Sequence, residues 1–137
     1  CIRDRYCNGQ PIRSSQTDQL EEALLVTGFA YNIREKMEPV MVRFRRCVAV
    51  AQGVRRLGSA ALDLCLVANG SFDGFWEEDL KPWDTAAGAL IVTESGGRVT
   101  DFQGQPHDPD RLEILATNGR IHAQLMDRLK RENARDL

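Results

Sequence analysis

The chain has 137 residues, of which 42% are hydrophobic and 28% charged, and its formal net charge is −2. A chain of this length buries about two-thirds of its extended surface, which is enough for one domain with a core. The small net charge gives no electrostatic reason to expect a nucleic acid or an anionic membrane as partner. No apolar run approaches transmembrane length and no signal-peptide pattern is found. We therefore expect a cytoplasmic protein that does not bind membranes.

The cysteines show neither C-x-x-C spacing nor the density of a disulfide scaffold; they are Cys1, Cys7, Cys47 and Cys65. This pattern favours reduced thiols in a cytosol-like compartment. Cys47 and Cys65 have apolar neighbours, so we expect both in the core.

The amino-terminal third predicts a hairpin, a strand and a helix. Asn8-Gly9 is a strong turn signal and predicts a strand on each side. Leu24–Thr27 is typical of a buried strand that ends at Gly28. Apolar residues at three- and four-residue spacing predict an amphipathic helix from about 33 to 50, with Pro39 near its start or kinking it.

In the middle of the chain, residues 54–57 form a predicted extended segment. Gly58-Ser59 then precedes an apolar helix from Ala60 to about Ala68. The alternation of Phe72 to Glu77 predicts a strand, and residues 77–79 are expected to form an acidic loop.

The last third predicts a helix from Asp84 to Ser95, strands over 98–102 and 112–117, and a final amphipathic helix that begins near Ile121. His122 is expected on an exposed face of that helix, and residues 131–137 are expected to fray. Strands that alternate with helices indicate one layered α/β domain over residues 1–137.

The most informative run extends from Trp83 to Gly97. Asp84 has the chemistry to cap the first turn of a helix, while small residues keep that turn thin enough for close packing. Gly96 or Gly97 can supply the left-handed residue that ends the helix. A capping aspartate on a core helix explains Asp84 structurally, but that role leaves one carboxylate oxygen available for a ligand.

This run resembles the second signature of the inositol monophosphatase family, which are Mg²⁺-dependent, lithium-sensitive phosphomonoesterases. The resemblance implies that Asp84 is a metal ligand. The order of segments is similar to the carboxyl-terminal half of that family's layered αβαβα fold, with the upstream half absent from this chain. Family resemblance also implies a homodimer.

The resemblance implies that Gly58, Ser59 and Ala60 contact substrate hydroxyls, and that Glu77, seven residues before Asp84, accepts hydrogen bonds from a polyol. Free N–H groups at a helix start and an ionised carboxylate suit these roles. Structural alternatives are an N-cap role for Ser59 and a solvated acidic loop around Glu77. The sequence does not decide whether Arg55 and Arg56 bind phosphate or form salt bridges.

Family members draw further metal ligands from a D-P-[IL]-D-G-T-type motif, which this sequence lacks. The chain therefore supplies one ligand, Asp84, and we assign it no catalytic residue. Our leading hypothesis is a Mg²⁺-dependent phosphatase acting on inositol monophosphate or a similar polyol phosphate. One alternative is a non-catalytic binding or scaffold module. Another is a related phosphatase for fructose bisphosphate, histidinol phosphate or phosphoadenosine phosphate.

Overall fold

The computed structural model describes residues 4–130, which form a five-stranded sheet with helices on both faces and a small separate hairpin. The hairpin joins β1 (Tyr6–Cys7) to β2 (Gln10–Pro11). Its turn residues Asn8 and Gly9 both have positive φ values, 51° and 78°, as the sequence predicts for this turn. Cys7 is exposed here, Cys47 is buried in the core, and Cys65 is partly buried.

The large sheet contains β3 (Leu24–Thr27), β4 (Gly53–Arg55), β5 (Gly74–Glu78), β6 (Arg98–Thr100) and β7 (Glu113–Thr117). Its strand order is β4-β3-β5-β7-β6. The first three strands in this order are parallel, while β7 pairs antiparallel with both β5 and β6. The carboxyl ends of β4, β3 and β5 therefore meet at one edge of the sheet, which is where α/β proteins place ligands.

Helices α2 (Ala60–Ala68) and α3 (Pro82–Glu94) cover one face of the sheet, and α1 (Met37–Val48) and α4 (His122–Leu129) cover the other. Each face has its own apolar core. Leu64 and Val92 belong to the α2–α3 side, while Cys47 and Leu125 belong to the α1–α4 side. The expected layered helix–sheet sandwich is therefore confirmed.

The small residues of α3 allow close contact with α2, as the sequence predicts. A Cβ added at Gly88 would lie 2.6 Å from the Cβ of Leu64. Gly96, with a φ of 92°, ends α3, and the N–H of Gly97 donates to the carbonyl of Val92 at 2.9 Å. These bonds satisfy the last carbonyls of the helix.

The predicted start of α3 was wrong by two residues. The helix begins at Pro82, because proline is favoured at the first helical position, and Lys81 is the N-cap with extended backbone. Asp84 is therefore the third helical residue, and its Oδ2 accepts a hydrogen bond from the main-chain N–H of Lys81 at 2.9 Å. The carboxylate still stabilises the first turn, but from inside the helix.

Three other predictions also need correction. The helix expected from about 33 begins at Met37, after a short 3-10 turn over Ile33–Glu35, and Pro39 lies in its first turn. The acidic segment 77–79 is not a solvated loop, because Glu77 and Glu78 belong to strand β5 and Glu77 is buried. His122 is 1% exposed rather than on a solvated face, because Thr100 and Thr117 hold its ring between strands and helix.

A polar network ties the amino-terminal segment to the edge of the sheet opposite the ligand edge. Asp73 accepts hydrogen bonds from the Ser15 hydroxyl at 2.5 Å and from the Leu24 N–H at 2.7 Å. The Asn118 amide donates to Ser15 Oγ and to the Thr17 carbonyl at 2.9 and 2.7 Å. We call this set the Asp73–Asn118 network.

No helix within residues 4–130 has the length and apolar character needed to cross a membrane. The fraying expected for residues 131–137 lies outside the described residues.

Candidate functional site

A cavity of about 530 Å³ opens at the carboxyl ends of β3 and β5, beside the amino ends of α2 and α3. All five residues that the sequence singles out for a ligand or metal line this one cavity; they are Gly58, Ser59, Ala60, Glu77 and Asp84. These residues come from three separate segments of the chain, so the sheet topology is what brings them together. We call this space the ligand cavity.

The start of α2 forms one wall of the ligand cavity. Ser59 is the N-cap residue, and its hydroxyl accepts a hydrogen bond from the Leu62 N–H at 3.4 Å. Gly58 precedes it with a φ of 94°, a left-handed conformation that favours glycine. The N–H groups of the first helical turn lack intrahelical partners, so this wall offers donors to an anion or a hydroxyl oxygen.

Glu77 also lines the ligand cavity and is 7% exposed. None of the described residues donates a hydrogen bond to its carboxylate, which faces the cavity. Burial and the nearby carboxylates of Asp63 and Asp84 raise the pKa of Glu77 to about 7, although Arg56 acts in the opposite direction. When it is ionised, the Glu77 carboxylate can accept hydrogen bonds from a ligand on both oxygens.

Asp84 reaches the cavity from the first turn of α3. Its Oδ2 holds the Lys81 N–H, while its Oδ1 has no hydrogen-bond partner among residues 4–130. Lys81 lines the cavity beside it and is exposed. The arrangement leaves one carboxylate oxygen of Asp84 for a ligand or a cation.

The structure separates the two arginines that the sequence left open. Arg56 lines the ligand cavity, with its guanidinium carbon 6.0 Å from the centre of the Phe29 ring. Arg55 lies outside the lining residues, and its Nη1 donates to the Val54 carbonyl at 3.2 Å. Arg56 is therefore the arginine placed to affect charge in the cavity.

An ion pair joins two segments at the rim of the cavity. Lys36 Nζ lies 2.8 Å from both carboxylate oxygens of Asp79. Asp79 has a φ of 59°, a left-handed conformation that is uncommon outside glycine. Glu78, on the other face of the sheet, pairs with buried Arg43. The sequence predicts an acidic loop over residues 77–79, but Glu78 and Asp79 each pair with a basic residue from a distant segment.

Asp63 is a buried carboxylate that the sequence patterns do not single out. It is 0% exposed, and neither of its oxygens has a hydrogen-bond partner among the described residues. Burial raises its pKa to about 6, and Arg56 partly opposes the rise. The signal that could have identified it is one aspartate within the apolar run of α2, since an unpaired buried carboxylate is costly.

A magnesium site needs several oxygen ligands at short distances. Within residues 4–130, no three His, Cys, Asp or Glu side chains lie close enough together to hold a metal ion. The free Oδ1 of Asp84 fits the role of a single ligand, and the described residues do not form a complete metal site by themselves.

Comparison with known proteins identifies the family. The sequence model of the inositol monophosphatase family matches residues 3–134. Inositol-1-monophosphatase of Synechocystis sp. is 47% identical over 122 residues, covering 89% of this chain and 42% of that protein. Phosphatase IMPL1, chloroplastic, of Arabidopsis thaliana is 46% identical over 123 residues, covering 90% of this chain and 33% of that protein.

A solved structure agrees with the sequence match. The inositol monophosphatase from Anabaena (Nostoc) sp. PCC 7120 has a TM-score of 0.86 and 47% identity, covering 89% of this chain and 48% of that one. The chain thus spans about a third to a half of the length of these relatives. The match extends through nearly all the described residues, and the chain therefore belongs to the inositol monophosphatase family.

Proposed function

We propose that the protein containing this chain is a Mg²⁺-dependent phosphatase that hydrolyses inositol monophosphate, or a similar polyol phosphate, to the alcohol and phosphate. The observation that carries the proposal is the convergence of Gly58, Ser59, Ala60, Glu77 and Asp84 on one cavity. Membership of the inositol monophosphatase family supports the same chemistry. We further propose a cytoplasmic homodimer.

Glu77 and the start of α2 would hold the polyol. A buried carboxylate that receives no hydrogen bond from residues 4–130 can accept hydrogen bonds from two neighbouring hydroxyls. The N–H groups after Gly58 and Ser59, at the start of α2, would donate to the ligand's oxygens. Together Glu77 and the start of α2 would fix the orientation of the alcohol that leaves.

Asp84 would hold magnesium through its free Oδ1. When bound, magnesium neutralises charge on a phosphoryl group and lowers the pKa of a coordinated water. We propose that the remaining ligands and the base for the attacking water come from sequence outside this chain. The absence of the D-P-[IL]-D-G-T-type motif from residues 1–137 supports this division.

The outer face of the α2–α3 layer also supports the proposal that part of the enzyme lies outside this chain. Leu62, Trp83 and Leu90 are 51%, 78% and 50% exposed, although both helices bury their other faces on the sheet. Trp83 and Leu90 lie seven residues apart on α3 and so share one face of that helix, and exposed apolar side chains on a shared face are typical of a surface covered by another part of a protein. We propose that the additional half of the enzyme packs on this face, which carries Trp83 directly before Asp84.

The first test is phosphate release from inositol 1-phosphate by the natural protein that contains this chain, with and without Mg²⁺. Release that requires Mg²⁺ and is lost in Asp84→Asn supports the proposal. Mg²⁺-dependent release that persists in Asp84→Asn would contradict the role of Asp84.

One observation favours a second candidate, a non-catalytic binding module: the described residues lack a complete metal site. Such a module would bind inositol 1-phosphate without hydrolysing it. Calorimetric titration together with the phosphate assay distinguishes binding from turnover. Fructose bisphosphate, histidinol phosphate and phosphoadenosine phosphate serve as alternative substrates in the same assay.

A further inference from the structure

Gly28 and Glu77 occupy neighbouring positions at the ends of two parallel strands. The register pairs Leu25 with Gly74, Val26 with Phe75 and Thr27 with Trp76, so one further step along both strands places Gly28 beside Glu77. Val26 and Phe75 both pack in the core beneath α2 and α3. Because side chains alternate along a strand, position 28 and Glu77 face that same side.

A side chain at position 28 would collide with the Glu77 carboxylate unless that carboxylate moved. A Cβ built on Gly28 would lie 2.2 Å from Glu77 Oε2 and 2.4 Å from both Glu77 Oε1 and Glu77 Cδ. All three closest atoms belong to one carboxylate, so the space that a Cβ would need is the space that this carboxylate occupies.

Backbone conformation does not explain the glycine. The φ of Gly28 lies outside the left-handed region, unlike that of Gly58, which is 94°. An alanine at position 28 could adopt the same backbone conformation. The contact with Glu77, rather than the backbone conformation, therefore disfavours a side chain at this position.

The Glu77 carboxylate has no hydrogen bond from residues 4–130 to fix it. Its location is set by packing, and Gly28 leaves the gap into which it packs. At an ordinary contact distance of at least 3.4 Å from a new Cβ, the carboxylate would have to move by about 1 Å. A displacement of that size disrupts hydrogen bonds to a bound alcohol.

We propose that Gly28 is a positioning residue for ligand recognition: its missing side chain seats the Glu77 carboxylate against the end of β3, where it can accept hydrogen bonds from vicinal hydroxyls. This inference rests on the proposed function and makes it more specific. Gly28 favours polyol phosphates over phosphate esters that lack hydroxyls near the phosphate. Gly28 acts through Glu77.

The test is Gly28→Ala in the natural protein that contains this chain, assayed with inositol 1-phosphate and with phenyl phosphate, which has no vicinal hydroxyls. We expect KM for inositol 1-phosphate to rise about tenfold and KM for phenyl phosphate to change by less than about twofold. In a Glu77→Ala background, Gly28→Ala should add nothing to either value, because the group through which it acts is gone. A crystal structure of Gly28→Ala should show the Glu77 carboxylate displaced.

Gly74→Ala is the matched control. Its Cβ would lie 2.9 Å from Leu125 Cδ2 on the opposite face of the sheet, so the variant adds crowding in β5 without touching Glu77. It should lower stability without changing the ratio of the two KM values. If Gly28→Ala does not fold, Gly28→Ala with Glu77→Asp shortens the acid by one methylene and should restore folding. Continued misfolding of the double variant would overturn the proposal.

The outcomes separate this inference from the proposed function. An unmoved carboxylate in the Gly28→Ala structure, or an equal rise in both KM values, overturns the role of Gly28 alone. Unchanged KM values in Glu77→Ala overturn the proposed role of Glu77, whatever Gly28→Ala does. If the natural protein does not hydrolyse inositol 1-phosphate, the proposed function fails, and the Gly28→Ala structure still decides whether Gly28 seats the carboxylate.

Discussion

Asp84 and Lys81 form a hydrogen bond between a side chain and the main chain, 2.9 Å from the Lys81 N–H to Asp84 Oδ2. The bond uses one carboxylate oxygen for the helix and leaves the other at the ligand cavity. This division separates the structural role of Asp84 from its proposed role in metal binding.

Asp84→Asn should remove Mg²⁺-dependent phosphate release without unfolding the protein. An asparagine oxygen can still accept the Lys81 N–H, but the amide has lost the negative charge that binds magnesium. We expect release to fall at least about 100-fold, since even residues outside the first metal shell contribute 10–100-fold. Phosphate assays and thermal melts check the two effects. Asp110→Asn, at an exposed position, should change neither, and an Asp84→Asn variant that loses its cooperative melt would contradict the separation.

Asp63→Asn should stabilise the protein at neutral pH. The pKa of Asp63 is raised from 3.8 to about 6, so the folded state binds its proton more tightly than the unfolded state does. Stability from this group is full below pH 4 and is lost as pH rises towards 6. We expect the variant to gain about 1–3 kcal/mol at pH 8 and almost nothing at pH 4. Urea unfolding at both pH values measures the difference, and an equal effect at both would show that charge is not the cause.

His122 should make the wild-type protein sensitive to acid. The Thr100 hydroxyl donates to the Asp101 carbonyl at 2.6 Å, so it must accept from His122 Nε2–H, and Nδ1 then accepts from the Thr117 hydroxyl at 2.9 Å. This arrangement requires the neutral ring. Burial, followed by Arg98, lowers the pKa of His122 from 6.5 to about 4.

Because the unfolded state binds the His122 proton first, folding stability should fall as pH drops from about 6.5 to about 4, and level off below that. Unfolding free energies of the wild type and His122→Gln at pH 7 and pH 4.5 provide the test. We expect the wild type to lose about 1–3 kcal/mol more than the variant over this interval. Parallel losses in the two proteins would rule out His122 as the source.

Gly88→Ala should destabilise the contact between α2 and α3. The new Cβ would lie 2.6 Å from both Cβ and Cδ1 of Leu64, which is fully buried. We expect a loss of about 1–3 kcal/mol, measured by chemical unfolding. Leu64→Val in the same chain should recover part of the loss by removing Cδ1 crowding. If the double variant is less stable than the sum of both single changes, another contact is responsible.

The sequence patterns found the elements whose formation depends on local spacing. The strand Leu24–Thr27 and the helix Ala60–Ala68 agree with the structure at both ends. Each is a short apolar segment followed by a residue with a clear signal, Gly28 or Asn69. For the site, the resemblance carried by the run from Trp83 to Gly97 was sufficient to nominate residues that the structure brings to one cavity.

The remaining features depend on contacts between distant segments. His122 lies on an amphipathic helix whose periodicity cannot show that Thr100 and Thr117 enclose its ring. Gly28 reads as the end of a strand, and its relation to Glu77 appears only when β3 and β5 are paired. Sequence periodicity reports which side of an element is apolar, but pairing and layer order decide which polar residues meet.

The Asp73–Asn118 network affects which parts of the sheet move and which loops tolerate substitution. It anchors the amino end of β3, the start of β5 and the end of β7 at one edge of the sheet. The ligand edge depends instead on the loop between Gly28 and Lys36 and on an ion pair exposed to water. Amide hydrogens near Leu24 and Asn118 should then exchange with solvent far more slowly than those of the rim. Substitutions in loops at the slowly exchanging edge should destabilise the sheet, whereas loops at the rim tolerate substitution. New ligand preferences can therefore arise at the rim while the sheet still folds.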